Sequence, residues 1–574
     1  MSTGALLPVT VVLPLAAAAL APLLARLDRR LPLFTGLAAL AGAAAILLRA
    51  LPDVLSGRLI EHRLGGQARV IAIVFTADPL GTLFALVTAL VGALLLMYTL
   101  SELGGLGDRE LGGYAALCLL LLAALIGTAL TADLFNLFVW FEVAALSSYG
   151  LTGFFLERPI ALEAAFKILV LTTVASFGVF VGTGLLYARH GALNLGLLHD
   201  SLGGATGVAD LVALALLIGG YATKAGLVPF HTWLPDAHTA APGPVSALFS
   251  GLMVNLGIVV LARLAYQVFA PSHVPIMGLL MVLGLLSALA GAVLALGQDD
   301  LKRLLAYDTV SQMGVITVGL ATGTASGAAG GVYHLLNHAL FKSLLFLCAG
   351  AIVHRTGLTN LSEMGGLARR MPVVAIAFLV GVASIAGVPP LNGYASLALI
   401  HHGLETTHQT GPAVLLALAQ VVTVAALARA AWLAFFARKE PTDADERPRP
   451  GMVVSFLALA ACCLALGVLS QPIVEHAMRP AAGALVRGDL YAAAAGGRVA
   501  PIPAPPVRLE YLASSSLLVT VGCLVAGLVL ARLSGRVVSA PPWRRLAALH
   551  NGSVNDYAAL AAAGTLAVAL VVLT

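Results

Sequence analysis

Residues 328–352 read AAGGVYHLLNHALFKSLLFLCAGAI, an apolar run that nonetheless carries His334, His338 and Lys342. A run of about 20 apolar residues crosses the ~30 Å hydrocarbon core of a bilayer. A charged side chain at its centre costs roughly 3 kcal/mol on insertion scales, so such a group is rarely kept without a use. The three groups fall at i, i+4 and i+8, which on an α-helix is one stripe about 12 Å long. Imidazole both donates and accepts near neutral pH, so two histidines in file with a lysine make a proton relay once water fills the gaps. Two histidines at i, i+4 also suit a metal ion. The lysine in the same file and the lack of a nearby carboxylate in the sequence argue against that, and no metal is expected.

Two other apolar runs carry the same signal. Glu142 lies in DLFNLFVWFEVAALSSYGL (133–151) and Lys224 in GGYATKAGLVPFHTWLPDAH (219–238). Opposite charges at membrane depth are expected to find one another. At ~4 Å and an effective dielectric near 20 such a pair is worth about 4 kcal/mol, or about three decades in proton affinity. Lys224 then holds its proton while Glu142 is close and releases it when Glu142 withdraws.

The rest of the chain agrees. Of 574 residues 60% are hydrophobic and 10% charged, and the mean hydropathy is +0.97, too apolar for a soluble surface of this size. About sixteen apolar runs of span length recur, near 5–25, 33–51, 78–99, 113–132, 134–155, 165–188, 209–231, 244–266, 275–297, 303–323, 328–352, 372–403, 412–437, 452–471, 511–533 and 556–574. The alternation a β-barrel needs is missing. The fold class expected is all-α, a polytopic bundle of about 14–16 transmembrane helices. The first run reads as a span rather than a cleaved leader, since RLDRR (26–30) follows it. The five cysteines all sit in apolar runs without CxxC spacing, so neither zinc nor an iron–sulfur cluster is encoded. With the N-terminus outside, 19 of the 32 Lys and Arg fall at cytoplasmic loops and helix ends, among them Arg369, Arg370, Arg438, Lys439, Arg544 and Arg545. Both termini are therefore expected on the outer side. The net charge of +5 follows from this bias and does not suggest nucleic acid.

Proline and glycine interrupt two runs: AGLVP (225–229), ending at Pro229, and GVPPLNG (387–393), with Pro389 and Pro390. Proline removes a backbone donor and glycine loosens the turn, and freed carbonyls inside a membrane need protein or water partners. The breaks lie five runs apart. Five is odd, so the second copy enters from the opposite side, as in two inverted five-helix repeats. This divides the chain into 1–112, N-terminal helices; 113–266, the first repeat; 267–437, the inverted second repeat; and 438–574, additional helices. A charged linker is read at 438–450, and 473–510 is expected to cap the outer surface without a fold of its own. His231, Asp236 and His238 follow the first break, where a proton would be taken in from the cytoplasm. Lys302 and Asp308 are accessory candidates, Arg429 needs a partner, and Asp133 is expected at the surface.

Taken together, KAGLVPFHTWLPDAHTAAPGPVSAL (224–248), LKRLLAYDTVSQMG (301–314) and HLLNHALFKSLLF (334–346) resemble the antiporter-like subunits shared by respiratory complex I, Mrp-type cation/proton antiporters and group-4 membrane hydrogenases. The likeness runs from about 78 to 437. HLLNHALFKSLLFLCAGAI and PPLNGY look most like the hydrogenase-4 and formate hydrogenlyase subunit, with Mrp subunits next. The resemblance implies that Glu142 is the family's fifth-helix glutamate and Lys224 its seventh-helix lysine. It continues the polar axis through His334, His338 and Lys342. Three positions depart from the pattern: Ser250 where many relatives carry histidine, Asn255 where Mrp- or hydrogenase-like relatives carry lysine, and Leu397 where the broken twelfth helix usually carries lysine or glutamate. His401, one turn further on the same face, is read as a substitute for the missing group.

The expected function is a proton- or cation/proton-translocating subunit of a larger complex in the cell inner (plasma) membrane. Its partners would be homologous and small membrane subunits, the lipid bilayer and a peripheral redox module, and the chain itself would carry no cofactor. Mrp-type sodium/proton exchange without electron transfer, coupling to inorganic-carbon uptake, and a non-transporting scaffold role stay open at this point.

Overall fold

The computed structural model describes the chain apart from residues 1, 67, 71, 103–106, 205, 273, 438–448, 496–504, 506, 508, 510–513, 539–551 and 574. The charged linker read at 438–450 therefore lies, except for Arg449 and Pro450, outside the described residues, as do Arg544 and Arg545. Helices α1 (Thr3–Leu24) and α2 (Leu31–Leu55) lead into a hairpin of β1 (Ile60–Arg63) and β2 (Val74–Ala77), paired antiparallel with Ile60 opposite Ala77. Then come α3 (Pro79–Glu102), α4 (Asp108–Leu130), α5 (Leu134–Thr152), α6 (Pro159–His190) and a short α7 (Leu195–Leu202). The seventh apolar run is split into α8 (Val208–Ala225) and α9 (Trp233–Ala240). The eighth consists of α10 (Gly243–Leu248) and α11 (Val254–Arg263), joined through a π-turn. Next are α12 (Ile276–Leu296), α13 (Leu301–Ala321), α14 (Ala325–Thr356) and the one-turn α15 (Leu367–Arg370). The twelfth run is again split, into α16 (Pro372–Ile385) and α17 (Asn392–Thr406), and α18 (Thr410–Ala431) follows. The chain closes with α19 (Pro450–Val468), α20 (Ser470–Ile473), α21 (Arg479–Val486), α22 (Asp489–Ala495), α23 (Ser514–Val538) and α24 (Val554–Leu573). Fifteen helices among the described residues are long and apolar enough to cross a membrane, and the split α16–α17 accounts for the sixteenth run. The protein is an all-α, multi-pass membrane protein.

The two broken helices are built alike. Gly226 ends α8 at φ 69° and Gly387 ends the turn after α16 at φ 74°, a left-handed conformation that suits glycine. Leu227 N donates to Ala222 O at 3.0 Å and Val388 N to Ala383 O at 2.9 Å, so each break closes its own last turn. A cis proline follows in both, at Val228–Pro229 and Pro389–Pro390. The helices before them match too. Asp133 caps α5 and bridges to Asn194, and Asp300 caps α13 and bridges to Asn360. Helices α6 and α14 are both 32 residues long and end on left-handed Gly191 and Gly357. The series α4 to α11 thus recurs, inverted, as α12 to α18.

Two expectations need correction. Asp133 is not at the surface: it is buried, because its carboxylate accepts from Asn136 N at 2.7 Å to start α5. The segment 473–510 does have a fold of its own as far as residue 495, since α21 and α22 bury Ala481, Ala482, Leu485 and Tyr491. The long second loop contains the β1–β2 hairpin, too short a piece of strand to show in composition.

A buried charge ties these outlying pieces to the core. Arg263 at the end of α11 is fully buried; its Nη2 donates to Asp78 Oδ1 at 3.3 Å and to Ala129 O at 2.7 Å, and its Nη1 to the Tyr491 hydroxyl. Tyr491 in turn donates to Asp78 Oδ2 at 2.8 Å. One guanidinium thereby joins α11, α4, the entrance to α3 and α22. Removing one partner of a buried pair costs about 3–5 kcal/mol, because the other charge is left unpaired. Asp78→Ala should therefore lower the midpoint of thermal unfolding in detergent markedly, and Asp78→Ala with Arg263→Met should recover much of the loss.

Candidate functional site

The first ionisable pair is assembled by α5 and the last turn of α8. Lys224 is the penultimate residue of α8, two before the break at Gly226, where the C-terminal end of α8 favours a cation. Its neighbours are fixed by the cap: the Trp233 indole donates to Thr223 O at 2.8 Å, and Val228 N donates to Ser287 Oγ at 2.9 Å. Lys224 is fully buried and its Nζ makes no hydrogen bond; it lies 5.1 Å from the centre of the Phe141 ring. Glu142 is half-buried, with Oε1 enclosed and without a hydrogen-bond partner. The two groups are near enough to act on one another electrostatically, but no contact within 4.0 Å joins them. The close ion pair expected from the sequence is thus open here. Phe141, one residue from the carboxylate and held edge-on against Tyr221 at 5.7 Å, supplies the face that the ammonium meets instead.

Along α14 the stripe is as the spacing required: His334, His338 and Lys342 are all fully buried. His334 Nδ1 lies 2.9 Å from Ser396 Oγ on α17, and its Nε2 lies 2.9 Å from Gln312 Oε1 on α13. Neither ring nitrogen of His338 has a hydrogen-bond partner, and the ring meets the edge of Phe341 at 5.6 Å. Lys342 donates to Leu305 O at 3.0 Å and to the carboxylate of Asp308, itself fully buried. The reading that no carboxylate stands near this file is corrected. Asp308 faces it from α13, two turns into the helix that Asp300 caps. Gln312, one turn beyond Asp308, had no signal of its own in the sequence beyond that i+4 spacing.

The intake candidates divide. Asp236 turns outward, pairing with Lys167 at 2.8 Å and reaching Arg303 at 3.8 Å beside a cavity of 220 Å³. His238, two residues on, turns inward and stacks on Phe346 at 4.6 Å with both nitrogens unpartnered. His231 is buried, its ring 6.4 Å from that of Tyr307. Lys302 is buried rather than marking the surface and donates to Ala241 O at 2.7 Å. Arg429 gains the partner the sequence did not name: it donates to Gln298 O at 2.8 Å and lies 4.0 Å from Asp299. Among the described residues no group of three or more His, Cys, Asp or Glu side chains is placed to hold a metal ion.

Comparison with known proteins gives the family. The model of the NADH:quinone oxidoreductase/Mrp antiporter transmembrane family matches residues 131–425. NADH-quinone oxidoreductase subunit N of Desulforudis audaxviator is 33% identical over 82% of this chain and 97% of its own. An Na(+)/H(+) antiporter subunit of Alkalihalophilus pseudofirmus is 32% identical over 75% of this chain and 87% of its own. Hydrogenase-4 component B of Escherichia coli is 30% identical over 79% of this chain and 70% of its own. The chain belongs to this family. In three dimensions it is similar to a chain of the Mrp complex from Dietzia sp. (TM-score 0.79, 27% identity, covering 86% of this chain and 100% of that one). A chain of an archaeal membrane-bound sulfane sulfur reductase is comparably similar (TM-score 0.78, 30% identity, covering 86% and 99%).

Within this antiporter-like family the three departures now have surroundings. Ser250 bonds Thr309 at 2.7 Å, sealing α10–α11 against α13. Asn255 donates to Gly251 O at 2.8 Å and reaches Leu335 O at 3.4 Å, so an amide stands beside the histidine file. Leu397 is buried against Gly387, in the same pocket as the Gln420 amide. His401, five positions and about 7.5 Å further along α17 than Ser396, lines a cavity of 350 Å³ together with Glu405 and His408. Its Nε2 is buried without a hydrogen-bond partner.

Lys342 and Asp308 neutralise one another, so single and double removal should differ in size. Asp308→Leu alone is expected to reduce thermal stability in detergent by about 3–5 kcal/mol. Asp308→Leu with Lys342→Met should be close to wild type in melting temperature.

Proposed function

We propose that this chain is the proton-translocating, antiporter-like subunit of a multi-subunit complex of the inner (plasma) membrane, with both termini on the outer side. The observation that supports this reading is a set of ionisable groups on membrane-spanning helices. Glu142 and Lys224 lie near one another on α5 and α8, His338 and Lys342 are fully buried on α14, and His334 is bonded to Ser396 on α17, the helix that carries His401. Each member sits on a membrane-spanning helix, where burial without function is costly. Protons are taken up near Lys224, pass along His334–Lys342 and leave through the cavity at His401.

The groups divide the labour by their partners. Lys224 with Glu142 is the movable pair: closure stabilises the ammonium by about 4 kcal/mol and opening returns that energy to the proton. His334, flanked by Ser396 and Gln312, is oriented on both nitrogens and so passes a proton between α13 and α17. Homologous and small membrane subunits are its neighbours. The complex is redox-linked in our reading, with electron transfer housed in a peripheral module and no cofactor in this chain. The relatives named for NADH-quinone oxidoreductase and hydrogenase-4 accord with that choice, and those named Na(+)/H(+) antiporter subunits accord with exchange alone.

The test is proton flux into proteoliposomes containing the purified complex, followed with a pH-sensitive dye. Lys342→Met removes a group that every route through α14 must use, and flux should fall at least about tenfold. A wild-type complex that moves no protons would establish the scaffold role instead. The His401 assignment has a test of its own. His401→Ala should slow flux severalfold, and Leu397→Lys added to it should restore flux by putting a titratable group back one turn earlier. Full flux in His401→Ala would remove His401 from the path.

A further inference from the structure

Charged side chains from separate helices meet at the turn between α9 and α10. The turn between α9 and α10 is pressed onto α14 so closely that a Cβ at Gly243 would stand 2.8 Å from the Gly350 Cα. With no side chains at that crossing, charged groups from two other helices reach the turn. Lys302, in the first turn of α13, donates to Ala241 O at 2.7 Å. Glu102, the last residue of α3, brings Oε1 to 3.5 Å from the same Gly243 position, and its Oε2 is enclosed without a hydrogen-bond partner. Glu102 and Lys302 are near enough to act on one another's charge. Behind them lies His238, fully buried, both nitrogens unpartnered, and within electrostatic reach of Lys302 on one side and Lys342 on the other. Two unsatisfied polar atoms in one buried ring forfeit the hydrogen bonds they would make to water, and no structural bond of the ring compensates that loss.

We infer that Glu102, Lys302 and His238 form a second proton intake that loads Lys342 directly. The inference rests on the translocation reading above. A proton from the aqueous end binds the Glu102 carboxylate. Lys302 passes an N–H proton to one nitrogen of His238 and is refilled from Glu102. His238 gives up the proton on its other nitrogen to the Lys342 amine, which by then has passed its own to His338. Intervening water carries any step longer than a hydrogen bond. Each group regains its charge and one proton has moved inward; His238 ends in its other tautomer, and rotation of the ring resets it for the next proton. Asp300 and Arg158 also face Lys302, and Tyr98 and Tyr114 face Glu102, so the mouth is ringed by further polar groups from α3, α4, the start of α13 and the α5–α6 connection.

The experiment is the same flux assay on the intact complex, with Glu102→Gln, Lys224→Ala and the two combined. With two parallel intakes each single variant should lose part of the flux, the two losses together making up about the whole, and the double variant should fall to the Lys342→Met level, at least about tenfold down. Glu102→Asp should keep most of the flux, which a merely structural role of the side chain at this tight turn would not predict. His238→Leu should match Glu102→Gln and serves if Glu102→Gln fails to assemble. Wild-type flux in Glu102→Gln or His238→Leu overturns this intake. So does a double variant no slower than the slower single one, since the groups would then lie in one series. Absence of flux in the wild-type complex would overturn the translocation reading itself, which is a separate outcome.

Discussion

The constraint from which the rest of this structure follows is that a backbone inside a bilayer must satisfy its own hydrogen bonds. Fourteen of the sixteen apolar runs meet it by staying helical, and the other two break the ladder at matched places. At both breaks the freed carbonyls are recaptured within a few residues, by Leu227 N and the Trp233 indole in one and by Val388 N in the other. The left-handed glycines make that recapture possible. A lysine next to such an end, Lys224, faces the carbonyl pole of α8 and needs no further anchor, and so it is left free to respond to Glu142. In the second break the equivalent stretch carries Ile385 and Leu397, and the first imidazole along α17 is His401, which lines a cavity.

The elements legible in the sequence were those written in long apolar periods. Span count, both breaks, the odd spacing that inverts the repeat and the His334–Lys342 stripe all follow from composition and from helical geometry. The features that stayed hidden are contacts between segments far apart in the chain. Asp78, Arg263 and Tyr491 come from three distant stretches, none of which has a period or motif that singles it out. Asp133 looked exposed because it interrupts an apolar stretch, yet a helix cap needs that position to be polar wherever it lies. Burial of Ala-rich helices between 479 and 495 was hidden for a different reason: alanine reads as linker in composition and as tight packing in three dimensions.

The expected pairing of Glu142 with Lys224 shows the same limit in energetic form. Sequence reasoning pairs opposite charges because isolation in lipid is costly, but it has no account of an aromatic face at 5.1 Å. A cation over such a face gains about 0.5–2 kcal/mol, less than a close carboxylate provides. The open pair is therefore held by a weaker contact that a small movement of α5 can exchange for the stronger one. On these figures the two arrangements differ by about 2–3.5 kcal/mol, which is the size of input that would exchange one for the other.

Lys342 and Asp308 represent the opposite case. Buried completely and in direct contact, the pair is neutral overall whether the labile proton is on the amine or shared toward the carboxylate, and it titrates as a unit. A second proton arriving at this unit makes it a net cation in a low-dielectric core. Its charge then acts on His338, the unpartnered imidazole one turn away, and beyond it on His334, which is bonded across to Ser396. Repulsion from a loaded Lys342 thus points outward along α14, toward the helix that leads to His401. An imidazole anchored by hydrogen bonds would resist that push. The bare nitrogens of His338 place the least restrained group of the stripe between the Lys342–Asp308 pair and His334, and on the proposed route this ordering gives the stripe a direction that its spacing alone does not.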